Sequence, residues 1–459
     1  MDIDFSKPFH TYFIGIGGIS MSGIANILLT KGFKVSGSDA HESDLTRELE
    51  GMGAKIYYDQ DSCHIEDDVD VIVYTAAIRE NNPEYIGMMN NKKAVHMSRA
   101  DFLGLLMKNY KMPVAVSGTH GKTTTTTMLS EIFLHENLDP TLSVGGIVKS
   151  IGSNLRVGGD DYFVFEACEY TNSFLSFFPK ISIILNIKED HLDFFKDIDD
   201  IRNSFRLFAN KLPEDGLLVI NDDIDKLSEV ISDIKCPYVT FGLKEASDYY
   251  ATDITFDEEG HPSFICHVKK SGESFPITLG VTGLHNVVNS LSAIAASLHL
   301  GLSVSGITSA LKNCGGSKRR FEHKGSFNGV RVIDDYAHHP DEIVATLNAA
   351  SKLKHNTLWV VFQPHTYTRT KALLPEFVKA LSLADRVVLT DVYAAREKDI
   401  YGCNSLTLFE KLKEAGVTCD YFSSFDDIEK FLHKNCINGD LLITMGAGDV
   451  VKISDSITK

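Results

Sequence analysis

Short apolar runs alternate along the chain with segments whose apolar residues recur three and four positions apart, the pattern of buried strands joined by amphipathic helices. The first cycle runs from Thr11 to Ile16, through glycines, into Ile24 to Leu29 at helical spacing. A second strand, Phe33 to Ser36, follows and closes in Gly37, Ser38 and Asp39. Runs at Lys55 to Tyr57 and Val69 to Tyr74 continue the alternation and predict a small parallel α/β unit. Pro113 starts a new cycle: Val114 to Val116 is a buried-strand run, a glycine turn follows, and Thr123 to His135 continues as a helix. Residues 107–112 are therefore a candidate boundary. Strands are predicted at Tyr162 to Phe165, Ile181 to Leu185 and Leu217 to Ile220, with an apolar helix over Leu291 to Leu300. The polar, glycine-bearing segment Asn313 to Lys318 reads as a second linker. Beyond it, strands at Val330 to Ile333, Leu358 to Phe362, Val387 to Leu389 and Leu441 to Thr444 alternate with helical stretches.

Length agrees with that division. At roughly 150 residues per domain, 459 residues suit about three. The expectation is an α/β protein of three domains: a Rossmann-like N-terminal domain (1–108), a central P-loop domain with a mostly parallel sheet (109–315), and a Rossmann-like C-terminal domain (316–459). Apolar residues at 43% and charged residues at 23% are ordinary globular usage and exclude a disordered or fibrous chain. The 45 Lys and Arg against 62 Asp and Glu give a net charge of −17, the wrong sign for tracking a phosphate backbone, so nucleic acid is not an expected partner. Anionic ligands must be held by locally placed donors. No run approaches the roughly 18 apolar residues of a membrane span, and Met1 to His10 has neither a basic nor an apolar leader region, so the expected location is the cytosol. The eight cysteines form no C-x-x-C pair, and they read as reduced thiols.

The strongest local signal is Ser117-Gly118-Thr119-His120-Gly121-Lys122-Thr123-Thr124, set between a predicted strand and helix. Backbone N–H groups in such a turn cradle phosphate oxygens, Lys122 neutralises their charge, and the Thr123 hydroxyl suits Mg²⁺. The pattern departs from the general P-loop in carrying Val116 where the first glycine is expected. A P-loop needs a metal-binding acid at the end of a neighbouring strand, which Phe163-Val164-Phe165-Glu166 supplies, with Glu169 three residues on. Asp190-His191 ends another strand. Taken alone, His191 is more often a hydrogen-bonded structural residue than a metal ligand.

Near the N-terminus, Gly15-Ile16-Gly17-Gly18-Ile19-Ser20-Met21-Ser22-Gly23 resembles a dinucleotide fingerprint, with Ser20 where the third glycine should be. Its turn suits a pyrophosphate, and Asp39 at the end of the second strand is placed for a ribose or sugar hydroxyl. The motif does not separate NAD from another diphosphate. In the last block, Asp334-Asp335-Tyr336-Ala337-His338-His339-Pro340 and Phe362-Gln363-Pro364-His365-Thr366-Tyr367-Thr368-Arg369 each follow a strand, where open α/β sheets place ligands. Lys318-Arg319-Arg320, just past the linker, is either a solvated surface or a group that swings onto a phosphate as the domains close.

In this order the motifs resemble those of the Mur ligases, the amino-acid-adding enzymes of peptidoglycan precursor synthesis. The resemblance spans the chain and is carried by Gly15 to Gly23, Gly118 to Thr124, Glu166-Ala-Cys-Glu169, Asp190-His191, Gly283-Leu-His-Asn-Val-Val-Asn289, Arg319-Arg-Phe-Glu322, Asp334 to Pro340, Phe362 to Arg369 and Gly446-Ala-Gly-Asp449. It implies that L-alanine is ligated to the lactyl carboxylate of UDP-N-acetylmuramate, with ATP and Mg²⁺, through an acyl phosphate. It places the UDP-sugar on Gly15, Gly17, Gly18, Ser20 and Asp39, and ATP on Gly118 to Thr124, Asn286, Asn289, Arg320 and Asp335. Lys122, Glu166 and His191 become catalytic, with one Mg²⁺ on Thr123 and Glu166 and a second ligated or oriented by His191; Tyr336, His365 and Arg369 become the amino-acid site.

Three positions depart from the family pattern: Thr366 stands where an arginine is common, Tyr393-Ala-Ala-Arg-Glu397 where Tyr-x-Ala-Gly-Glu is common, and Cys168 where an acid is common. Competing expectations are a related ligase that attaches a whole tripeptide to the same UDP-sugar, an NAD-dependent dehydrogenase with the P-loop as decoy, and a nucleotide sensor without turnover. Folylpolyglutamate synthetases share the Gly-Thr-x-Gly-Lys loop but lack such an N-terminal domain.

Overall fold

The computed structural model describes residues 3–75, 78–395, 397–399 and 402–459 and contains three α/β units, each built on its own sheet. The first sheet holds β1 (His10–Ile14), β2 (Lys34–Ser38), β3 (Lys55–Tyr57), β4 (Val71–Tyr74) and β5 (Val95–Ser98), all parallel in the order β3-β2-β1-β4-β5. Gly37 and Ser38, which the sequence reading put just past a strand ending at Ser36, belong to β2; a Cβ at Gly37 would meet the Phe13 carbonyl oxygen of β1 at 2.4 Å.

The second sheet has ten strands: β6 (Met112–Ser117), β7 (Thr141–Val148), β8 (Ser153–Arg156), β9 (Tyr162–Glu166), β10 (Ile181–Ile184), β11 (Leu217–Asn221), β12 (Tyr238–Gly242), β13 (Tyr249–Phe256), β14 (Pro262–Val268) and β15 (Glu273–Thr278). Strands β12-β11-β10-β6-β9-β7 run parallel, while β13-β14-β15 and β7-β8 are antiparallel. The wing β13 to β15 escaped the sequence reading. Its strands bury only one face, so Pro262 to Val268 alternates buried and half-buried positions rather than forming an apolar run. The apolar helix begins at Leu284, seven residues before its predicted start, because Asn286 and Asn289 are buried polar positions within it.

The third sheet contains β16 (Glu322–Phe327), β17 (Val330–Asp335), β18 (Leu358–Phe362), β19 (Arg386–Leu389), β20 (Cys419–Tyr421) and β21 (Leu441–Met445), ordered β16-β17-β21-β18-β19-β20 and parallel except for β16. In the first sheet β1 lies between β2 and β4, and in the second β6 lies between β10 and β9. The glycine turns after β1 and β6 thus both leave at points where strand order reverses, the crevice in which open α/β sheets bind ligands.

One apolar cluster runs through the first two units, joining Phe13 and Phe102 to Phe163 and Phe205, all four fully buried. The C-terminal unit has two cores of its own, around Val360 and Val361 on opposite faces of its sheet. Among the described residues, no helix is long and apolar enough to cross a membrane.

Candidate active site

The turn after β6 is held from behind by the chain that follows β10. Asn186 accepts from the His120 N–H at 2.8 Å and donates to its carbonyl at 3.0 Å, and its own carbonyl takes the Thr119 N–H at 3.1 Å. Gly118 and Gly121 adopt φ of 137° and 85°, which a side chain would strain, and Gly121 ends the turn directly at the helix Lys122–His135. That helix has no side-chain cap, so its first N–H groups remain for an anion.

Lys122 lies over the turn, 16% exposed, with Nζ donating to the carbonyls of Gly118 (2.5 Å) and Thr119 (3.1 Å) and paired with Glu169 at 3.0 Å. Burial lowers the affinity of this ammonium for its proton, but attraction to Glu169, together with Cys168 and Glu166, outweighs it and holds its pKa above the usual lysine range. Glu166 ends β9 beside β6, in register with Val116. Its Oε1 accepts the Gly145 N–H at 2.5 Å, while a Cβ on Gly145 would meet Oε2 at 2.5 Å. Burial pushes the Glu166 carboxyl up, opposed by that N–H and by Lys122.

Glu166, Thr123 and His191 line one cavity of about 580 Å³ with Lys122, Arg320 and Tyr336. A half-buried acid cradled by glycine, a hydroxyl and an imidazole fit phosphate-bound divalent cations, so the residues expected for Mg²⁺ suit it chemically. His191 has φ 54°, and its ring stacks on Tyr170 at 4.4 Å.

A second cavity of about 390 Å³ adjoins the first through His120, Gly121, Arg320 and Glu342 and is lined also by Thr124, Asn286, Asn289 and Asp335. Asn289 donates to Asn286 Oδ1 at 3.0 Å, and Asn286 to the Thr282 carbonyl at 2.7 Å. Asp335 accepts backbone N–H groups on both oxygens, from Ala337 at 2.7 Å and Phe321 at 2.8 Å, and burial raises its carboxyl to about 6.

The three basic residues after the linker separate. Lys318 is exposed; Arg319 turns to Asp334 (3.0 Å) and the Gly446 carbonyl (2.6 Å); Arg320 reaches the Thr123 hydroxyl at 3.3 Å. Tyr336 lies near both guanidiniums, whose central carbons are 5.0 and 5.1 Å from its ring centre. From Tyr336 a chain of rings leads through His338 (5.4 Å) to His365 (5.6 Å), whose Nδ1 is 3.2 Å from Arg369 Nη1. Tyr336, His365 and Arg369 are thus brought together, and Arg369 is paired with Asp190 of the central unit. Burial, then His338 and Arg369, lower the His365 imidazole to about 4.

In the N-terminal unit, Gly15 (φ 84°) and Gly18 lead into the helix Ile19–Thr30, and Asp39 Oδ2 accepts the Gly17 N–H at 2.8 Å. Asp39 therefore also shapes the loop. Arg99, which the sequence reading missed, donates to Ser20 Oγ at 2.7 Å from 79 residues away. Glu342 was missed too: it accepts the His338 N–H at 3.0 Å and faces His120 at 3.3 Å, and its only local signal is an acid in the first turn after Pro340. Glu397 caps the helix Tyr367–Ala372 through the N–H groups of Tyr367 (2.7 Å) and Thr368 (3.0 Å); Arg396 of the same motif lies outside the described residues. Thr366 adopts φ 66°, and Cys168 is exposed.

Comparison with known proteins gives a consistent set of likenesses. Residues 10–111 match the description "Mur ligase family, catalytic domain", 116–297 "Mur ligase middle domain" and 319–448 "Mur ligase, glutamate ligase domain". A UDP-N-acetylmuramate–L-alanine ligase of Lachnospira eligens is 58% identical over 459 residues, 100% of this chain and 99% of that protein. One of Agathobacter rectalis is 53% identical over 457 residues, 100% and 99% of the two chains. Among solved structures, the UDP-N-acetylmuramate–alanine ligase of Thermotoga maritima aligns with TM-score 0.80 at 29% identity, covering 98% of each chain. A murein peptide ligase of Psychrobacter arcticus aligns with TM-score 0.70 at 26% identity, covering 98% of this chain and 100% of the other.

Proposed function

The chain belongs to the Mur ligase family, and on that premise we propose that it joins L-alanine to the lactyl carboxylate of UDP-N-acetylmuramate, with cleavage of ATP to ADP and phosphate. The observation that carries this reading is the meeting, around one cavity system, of the lysine-bearing turn, Glu166 at the end of β9, and a guanidinium from the C-terminal unit seated on Asp190.

A carboxylate is a poor acylating agent, and phosphorylation gives it a leaving group. The lactyl oxygen attacks the γ-phosphorus of ATP and ADP leaves. The amine of alanine then attacks the acyl carbon, phosphate departs, and the amine's proton is lost. The protein's part is positioning and charge neutralisation. The turn Gly118 to Thr124 holds the phosphates, and Lys122 compensates the charge that builds on the transferred group. Arg320 sits where it reaches that group from the C-terminal side. Asn286 and Asn289 take the adenine, and Asp335 lies by the ribose. Arg369 grips the alanine carboxylate in a bidentate pair, with Tyr336 and His365 walling the site. His365, neutral at pH 7, adds no charge to repel the incoming amine. Gly15, Gly17, Gly18, Ser20 and Asp39 hold the UDP moiety.

Thr123, Glu166 and His191 are the residues that would hold Mg²⁺. Its chemistry is to neutralise phosphate oxygens. We assign the three units to residues 1–108, 109–315 and 316–459, and place the protein in the cytoplasm, where nucleotide sugars and ATP are available.

The test is ADP release by the purified chain with Mg²⁺-ATP and UDP-N-acetylmuramate, comparing no amino acid, L-alanine, D-alanine, glycine and the tripeptide. Release that needs both UDP-sugar and L-alanine supports the reading. Release with tripeptide alone moves the protein to the activity named for the Psychrobacter arcticus structure, and no release under any condition revives the dehydrogenase and sensor alternatives.

A further inference from the structure

No step above uses the side chains of His120, His339 or Asp341, yet they form a cluster with the chemistry of a ligand set. One donor atom from each lies within 4.8 Å of the other two, and the two imidazole rings are 4.6 Å apart between centres. Each ring has one nitrogen turned toward an oxygen. His120 Nδ1 faces Glu342 Oε1 at 3.3 Å, and His339 Nε2 faces the Glu189 carbonyl oxygen at 3.1 Å. Carbonyl and carboxylate oxygens accept, so the N–H sits on those nitrogens, and the lone pairs of the neutral rings fall on His120 Nε2 and His339 Nδ1.

His120 Nε2 is buried and has no hydrogen-bond partner among the described residues. His339 Nδ1 receives the Asp341 backbone N–H at 3.3 Å, the long end of the hydrogen-bond range. An imidazole whose far N–H is held by a carboxylate or a backbone carbonyl is the arrangement that metal-ligating histidines use, because it fixes the tautomer and the ring. Asp341, exposed at the rim, adds an anionic oxygen.

We propose that His120, His339 and Asp341 form a binding site for a divalent transition metal of the zinc class, bridging the P-loop and the C-terminal unit. Two nitrogens and one oxygen suit zinc and leave a fourth position for water, whereas magnesium is bound chiefly through carboxylates, phosphates and water, with two imidazoles a poor match. His120 comes from the turn after β6 and the other two from the start of the helix Pro340–Ala350, so a bound ion ties the two units together. His120 and Asp341 also line the 390 Å³ cavity, so the ion and a nucleotide there compete for space. The site stands independently of the ligase reading, since its test reads zinc directly.

The experiment is titration of the chelator-stripped full chain with Zn²⁺ against a chelating indicator, in excess Mg²⁺ so that Glu166 and His191 are occupied. The expected result is one tightly bound ion, with affinity weakened by about tenfold or more in His339→Ala and severalfold in Asp341→Asn. Co²⁺ in place of Zn²⁺ should give the visible absorption of a four-coordinate nitrogen and oxygen site in the parent protein and not in His339→Ala. Zinc binding equal in both variants and the parent, or no ion bound by the parent, overturns the proposal. If His339→Ala loses its fold by circular dichroism, the surface variant Asp341→Asn carries the test alone.

Discussion

Arg369 donates from Nη2 to Asp190 Oδ1 at 2.8 Å and from Nε to the same oxygen at 3.3 Å, joining the central and C-terminal units across 179 residues of chain. Each side chain is 10% exposed, so the pair is shielded from solvent. The guanidinium proposed for the substrate carboxylate is therefore held in place by a protein carboxylate that uses one oxygen only.

Arg369→Lys keeps the charge but loses the planar fork. We expect the KM for L-alanine to rise about tenfold to a hundredfold while the KM for the UDP-sugar stays within about twofold. Steady-state kinetics with each substrate varied checks this, and equal rises in both would count against the assignment.

Burial pushes the Asp190 carboxyl up, but Arg369 and His191 outweigh it and hold it well below the usual value of 3.8. A depressed carboxyl contributes stability that is present above the unfolded pKa and lost as pH falls below it. The pair is therefore expected to persist through pH 5. In thermal melts, the gap between the parent and Asp190→Asn should stay constant from pH 8 to 5 and narrow only below about 4.

Asp335 behaves oppositely, with burial raising its carboxyl to about 6. Because it lines the cavity proposed for ATP, protonation should remove a charge and an acceptor facing that space. The KM for ATP is expected to rise as pH falls through about 6, and the inflection should be absent in Asp335→Asn.

Lys122→Ala removes the cation from the turn. Turnover should fall by at least about a hundredfold, while UDP-sugar binding by titration calorimetry is retained, because the glycine turn after β1 belongs to another unit. Loss of both would show that the sites are wrongly divided.

Gly145→Ala tests the cradle of Glu166. A methyl group there would lie 2.5 Å from Oε2 and 2.9 Å from Cδ, so the carboxylate must move. We expect the Mg²⁺ concentration for half-maximal activity to rise about tenfold, as for loss of a positioning contact at a metal site. An unchanged magnesium dependence would remove Glu166 from the ligand set.

Much of this protein was legible in order along the chain. The buried parallel strand Leu358–Phe362 is a continuous apolar run and Leu441–Met445 is one broken only by Thr444, and glycines at Gly118 and Gly121 are demanded by local backbone geometry, so both left a direct mark on the sequence. The turn of residues 118–124, Glu166 at a strand end, and the histidines after β17 and β18 could be named from neighbours alone. What depends on contacts between distant segments could not. The wing β13 to β15 hides because one of its faces meets solvent. Arg99 meets Ser20 because strands distant in the chain share one sheet, Glu342 meets His120 and Arg369 meets Asp190 because separate sheets converge, and no local periodicity records a partner up to 222 residues away. The sequence by itself singled out the backbone turns and side chains proposed to carry the chemistry, because those are properties of short segments. The tertiary structure alone decided which charges neutralise one another and which imidazole nitrogen is left free, because those depend on distances that folding sets.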